Sequence, residues 1–186
     1  MKIHPIALKS LIGLFGILLS MTVNADEISI ERASGRVKDN NYLIEARIKY
    51  ELGESVIEAM QHGITLDFDV TVKVLEERKF LWDKSIKTEV INFQMEYQPL
   101  INRYLVINQK SGSREQLPSL DTALKFLGTI NNYNFIPNEV FEADESYAGL
   151  IKAKLKISTL PLPLQPIAYI SPSWHLESHW YEWTVR

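Results

Sequence analysis

Eleven consecutive residues, Ile64 to Val74, alternate between apolar and polar side chains without interruption. Ile64, Leu66, Phe68, Val70, Val72 and Val74 fall on one face, and Thr65, Asp67, Asp69, Thr71 and Lys73 on the other. A period of two is the signature of a strand whose side chains point to opposite faces of a sheet. A helix would scatter both sets around its axis, so this run commits the chain to a sheet with one face on a core and one in water. Tyr42, Ile44, Ala46, Ile48 and Tyr50 repeat the pattern opposite Glu45, Arg47 and Lys49. Gly149, Ile151, Ala153, Leu155 and Ile157 do so against Lys152, Lys154 and Lys156.

Weaker strands complete the set. Glu27 to Arg32 is expected to pair with Tyr42 to Tyr50 across a turn at Asp39-Asn40-Asn41. Ser85 to Tyr97 changes phase: Ile86, Thr88 and Val90 alternate, then Ile91, Phe93, Met95 and Tyr97 take over. One extra residue near Val90, a bulge, would do this. Arg103 to Asn108 and Arg114 to Leu117 flank a hairpin loop at Gln109 to Ser113. Two short helices are expected. Glu54 to His62 lies between two glycines, and Leu120 to Leu127 is capped by Ser119 and closed by Gly128. Asn131 to Ser146 reads as a loop with a helical turn around Glu139 to Ala143. The fold class is mainly β: about eight strands and two short helices, arranged as two packed antiparallel sheets, a β-sandwich.

The N-terminus has a different character. Lys2 and Lys9 precede an apolar stretch, Leu11 to Met21, and Val23-Asn24-Ala25 presents compact residues. These are the three parts of a secretory signal peptide, with cleavage expected after Ala25. A spanning helix needs about 20 apolar residues, and Lys9, Ser10 and Ser20 interrupt the run. The protein is membrane-anchored only if this segment stays uncleaved. A lipid anchor on cysteine is excluded, as are disulfides and thiolate chemistry, because the chain has no cysteine. The expectation is a signal peptide at 1–25 and one β-rich periplasmic domain at 26–186. Loss of Lys2 and Lys9 takes the formal charge from −3 to −5, which argues against nucleic acid as a partner.

Several phrases occur in a telling order. Glu77-Arg78-Lys79-Phe80-Leu81-Trp82-Asp83 follows the long strand, and Tyr97-Gln98-Pro99-Leu100-Ile101-Asn102-Arg103-Tyr104 turns into another. A Leu160-Pro161-Leu162-Pro163-Leu164 segment precedes the terminal Trp180-Tyr181-Glu182-Trp183. In this order, behind a signal peptide, they resemble domain-of-unknown-function family 4390, exported proteobacterial proteins also labelled proline-rich signal peptide proteins. The resemblance runs from about Ile28 to Trp183. It implies no catalytic residue and no cofactor. It does imply an envelope partner, with a membrane-bound sensor histidine kinase as the candidate.

Three features bear on chemistry. His175, Glu177 and His179, two apart, would share a face if the segment is a strand, and could then form a two-histidine, one-carboxylate metal site. A solvated polar face beside buried Trp174, Leu176 and Trp180 is the simpler reading, so neither a metal nor a catalytic group is assigned. Among the aromatics, Trp174 and Trp180 would share one face and Tyr181 and Trp183 the other. Trp82, Tyr181 and Trp183 are the candidate contact surface. Leu160 to Pro166 is expected to cross in extended, polyproline-like form with its leucines buried. No nucleophile elbow or phosphate-binding glycine loop is present. A non-catalytic binding or accessory module is favoured. The alternatives are a metal-dependent envelope hydrolase using His175, Glu177 and His179, or a glycan- or lipid-binding sandwich.

Overall fold

A computed structural model describes residues 27–185; the signal-peptide reading of Met1 to Ala25 lies outside them. Nine strands form two antiparallel sheets. The smaller sheet holds β1 (Glu27–Lys38), β2 (Asn41–Glu51) and β7 (Thr129–Pro137), in the order β1-β2-β7. The larger has the order β6-β5-β4-β3-β8-β9. Its members are β3 (Leu66–Glu77), β4 (Lys84–Gln98), β5 (Arg103–Asn108), β6 (Arg114–Leu117), β8 (Ser146–Leu155) and β9 (Tyr181–Val185). Helix α1 (Glu54–Gln61) carries the chain from the small sheet to the large one, and α2 (Leu120–Leu127) carries it back. The inward rows of both sheets share one buried cluster.

Local chemistry accounts for the connections. Asp39 and Asn40 both have positive φ, 48° and 59°, the two-residue turn whose twist matches a hairpin. Asn40 then joins β7's exit by accepting from the Asn138 amide at 2.9 Å. Ser119 caps α2 by accepting from the Thr122 amide, and the Thr122 hydroxyl accepts from the Ser119 amide in return. Gly128 lies so close to the Ile48 carbonyl that an added Cβ would overlap it, and its own carbonyl accepts from the Ile48 amide at 2.8 Å. That bond extends the β2–β7 ladder to the foot of α2.

Several sequence expectations are corrected. β1 runs six residues beyond Arg32, because pairing with β2 carries the polar Ser34-Gly35-Arg36 segment along as an outer strand. The irregularity in β4 is not at Val90 but at Ile86, which has no partner between Leu75–Ser85 and Val74–Lys87. Consequently Lys87 and Glu89 fall on the inward face with Ile91, Phe93 and Met95, while Val90 is exposed. The supposed loop after Asn131 is β7 followed by a short 3-10 turn at Asn138–Val140. The wet face of β3 is half covered: Asp69 is buried and accepts from Asn92 Nδ2 at 2.6 Å on the neighbouring strand.

The Leu-Pro-Leu-Pro-Leu segment also differs. It folds as a turn, in which the Leu164 amide bonds the Pro161 carbonyl at 2.9 Å. A third helix, α3 (Gln165–Ile170), follows, with Pro166 in its first turn. Only Leu160 is buried, and Leu162 is 79% exposed. Proline's fixed φ suits a helix start as well as an extended run, so composition alone could not choose between them.

Candidate functional site

The β3–β4 hairpin ends in the feature that stands apart from the packed molecule. Its loop, residues 78–83, contains three successive large apolar side chains, and Phe80 and Trp82 are each 94% exposed with Leu81 at 69%. The neck below them is pinned. Glu76 takes Arg78 Nε at 2.8 Å on one carboxylate oxygen and Lys84 Nζ at 3.1 Å on the other, and the Arg78 amide bonds Asp83 Oδ1 at 3.3 Å. The Arg78 and Lys84 hydrogen bonds hold the Glu76 carboxyl below its ordinary range. With Arg78 and Lys84 committed to Glu76, Glu77, Asp83, Asp144 and Glu145 outnumber Lys79 around the tip, and Lys79, Asp144 and Glu145 all line the groove beside it. The tip is thus an apolar knob on a neck pinned by ion pairs, in surroundings of net negative charge. Water gains nothing from three such rings and chains side by side, whereas a partner's pocket would.

Of the residues singled out from sequence, Trp82 is at this tip. Tyr181 and Trp183 are not on an open face. Both pack partly buried against the core, because β9 pairs them with inward Ile151 and Gly149. Trp183 lies over Gly149, where a Cβ would overlap the indole, and its Nε1 donates to Tyr42 Oη at 2.9 Å. Trp174 is buried, but Trp180 is 41% exposed, so the two do not share a face. Lys73 Nζ sits 4.6 Å from the Trp180 ring centroid, with Lys152 at 5.7 Å.

His175, Glu177 and His179 do not lie in a strand; a lone bridge pairs Glu177 with Lys154. Pro172 and the 3-10 turn at Pro172–Trp174 displace the segment from regular pairing, though alternation persists and all three side chains face solvent. Glu177 pairs with Lys152 Nζ at 2.8 Å. Among the described residues no three His, Cys, Asp or Glu side chains lie close enough to share a metal ion.

One cluster escaped sequence reading. Between β4 and β7, Glu89 is only 13% exposed. It accepts from Tyr133 Oη at 2.7 Å and bonds Lys110 Nζ. Lys87 Nζ approaches its second oxygen at 3.0 Å and also bonds the Phe135 carbonyl. Lys110 comes from the β5–β6 turn and donates to Tyr133 Oη at 2.6 Å. Burial raises the Tyr133 phenol above its usual value. The phase change in β4 was the available signal, since it puts two charges on the core side. The charges mostly answer one another, so the cluster reads as a joint between sheets rather than a reaction centre.

No helix among the described residues is long and apolar enough to cross a membrane. No curated protein and no solved structure matches the chain. A family model, Domain of unknown function (DUF4390), matches residues 25–184. That span takes in every strand and helix described above, from β1 to the end of β9 but for its last residue, and the chain belongs to the DUF4390 family.

Proposed function

We propose that the protein is an exported periplasmic module, non-catalytic, that engages an envelope protein through the β3–β4 tip. The observation carrying this reading is the exposure of Phe80, Leu81 and Trp82 above a neck held by Glu76, Arg78 and Lys84. A preorganised apolar tip loses little entropy on docking. Its acidic surroundings favour a pocket bordered by lysine or arginine. Export is supported by the Met1 to Ala25 pattern, and a membrane-bound histidine kinase is the partner that the family resemblance suggests.

The test is a photo-crosslinking residue at Trp82 in cells, with Thr88 on the same hairpin as control. One specific adduct from position 82, absent from position 88 and lost in Phe80→Ser/Leu81→Ser, is expected. The same adducts from both positions, or none from 82, would sink the reading.

A further inference from the structure

The end of the molecule opposite the β3–β4 tip carries a second, separate set of exposed apolar side chains. β4 runs from the tip to Gln98 and turns through Pro99–Asn102, where Leu100 is fully exposed and Ile101 is 53% exposed. Asn102 takes positive φ, 52°, and accepts from Tyr97 Oη at 2.9 Å, so the turn has a set shape. β8 starts opposite Glu77 near the tip and ends opposite Phe68 at this same far end. The chain leaving it forms α3, where Ile167 is 57% and Ile170 81% exposed, with Leu162 just before at 79%. Helix α1 joins the two protrusions. Gly63, just beyond it, lines one groove with Pro99, Leu100 and Ile101, and Ser55 Oγ lies 3.0 Å from Ser173 Oγ beside α3.

We propose that this end rests on a lipid bilayer, with Leu100, Ile101, Leu162, Ile167 and Ile170 entering the headgroup–acyl boundary. Two convex protrusions, a turn and a short helix, suit a deformable apolar layer better than a matching protein groove. The chain also arrives here. Glu27 pairs with Glu51 next to α1, and the apolar stretch Leu11 to Met21 lies just upstream in sequence. On the export reading proposed above, that stretch would be membrane-borne until cleavage after Ala25, which would bring this end to the bilayer first. The neighbouring charges are mixed, with Glu96 in the groove beside Leu100 and Ile101 and Lys154, Lys156 and Glu177 beside Tyr169 of α3, so docking is apolar in origin and insensitive to salt. With strands of about 35–40 Å at ~3.3 Å per residue, the Phe80–Trp82 tip would then stand well clear of the membrane.

The absence of cysteine allows single labels in the full chain. Leu100→Cys, Ile170→Cys and Trp82→Cys would each carry an environment-sensitive fluorophore. Each is mixed with vesicles of phosphatidylethanolamine and a minor share of phosphatidylglycerol, with or without nitroxide-bearing lipid. Blue-shifted emission and several-fold nitroxide quenching at positions 100 and 170, none at 82, and no change on adding salt, are expected. A retained N-terminal anchor would also bring this end near the bilayer, so the label at 100 is repeated in Ile167→Ser/Ile170→Ser: quenching lost there supports docking by these side chains, and quenching kept overturns it. Equal, polar emission at all three positions overturns the proposal. So does a blue shift at 100 and 170 without lipid quenching, which would mean a protein occupant such as a second copy. Crosslinking from position 82 is read separately, so either result stands without the other.

Discussion

The two long sides of the sandwich are closed by opposite means. Where β1 and β2 meet β8 and β9, the seam is aromatic. Tyr42, Phe141 and Tyr147 stack edge to face at centroid distances of 5.2 and 5.0 Å, and the Trp183 indole bonds Tyr42 Oη. Gly35 and Gly149 leave the space: a Cβ on either would overlap Tyr42 or Trp183. Where β4 meets β7, the seam is ionic, built on Glu89 between Lys87, Lys110 and Tyr133. Aromatic rings bury area and need one hydrogen bond each to satisfy their polar tips. A shielded carboxylate contributes little net stability with its partners present, yet is costly once they are removed. The first seam should therefore be strong and tolerant of conditions. The second should be strong only while complete.

The largest expected effect is at the aromatic seam. Trp183→Ala removes the indole from its notch over Gly149 and should cost about 3 kcal/mol, read as a lowered denaturant midpoint with little change in slope. At the ionic seam, Glu89→Ala leaves two lysines facing each other and should cost about 2 kcal/mol. The sharper experiment is the triple change Lys87→Met/Glu89→Leu/Lys110→Met. It should recover most of that loss, and failure to do so would mean that the ions contribute more than they cost. Tyr133→Phe deletes one hydroxyl from the cluster and should cost about 1 kcal/mol.

Alkaline pH tests both seams at once. Tyr42 and Tyr133 keep their phenol protons above the ordinary value of 10.0, chiefly because burial disfavours the phenolate. For groups raised on folding, the contribution is whole below the unfolded value and is lost as pH climbs through the folded values. Stability should thus fall above about pH 10, with a shallower slope in Tyr42→Phe and in Tyr133→Phe, measured by denaturation at stepped pH. The smallest effect is expected far from either seam. Phe80→Ser/Leu81→Ser should change stability by less than about 0.5 kcal/mol while abolishing the crosslink from position 82, which separates contact residues from structural ones.

How much of this was legible in the chain differs from strand to strand. β2 and β3 were readable because each inward position is apolar and buried: Tyr42, Ile44, Ile48 and the row from Leu66 to Val74. α2 was readable because Ser119 and Gly128 bracket it. β7 was not, since Asn131-Asn132-Tyr133-Asn134 carries little strand propensity and its pairing with β2, interrupted twice, supplies the structure. The candidate tip was half legible: Trp82 was picked out with Tyr181 and Trp183, but only the pairing of β9 with β8 shows that the latter two turn inward. The histidine segment did not meet the condition of being a strand, yet its alternation survives with only the Lys154–Glu177 bridge, and His175, Glu177 and His179 form the solvated polar face.

Taken alone, the sequence determined the mainly β character, the positions of the strongest strands and helices, and the family. The family rests on the order of specific phrases along the chain, whereas the strands and helices rest on period, capping and turn chemistry, which act over a few residues and are written locally. Tertiary structure decided which face of β4 holds Lys87 and Glu89, which tryptophans are core, and which apolar side chains stay in water. Each of those depends on what stands opposite in space, and the partners are far apart along the chain: Trp183 finds Tyr42, Tyr133 finds Glu89, and Phe80, Leu81 and Trp82 are left with none.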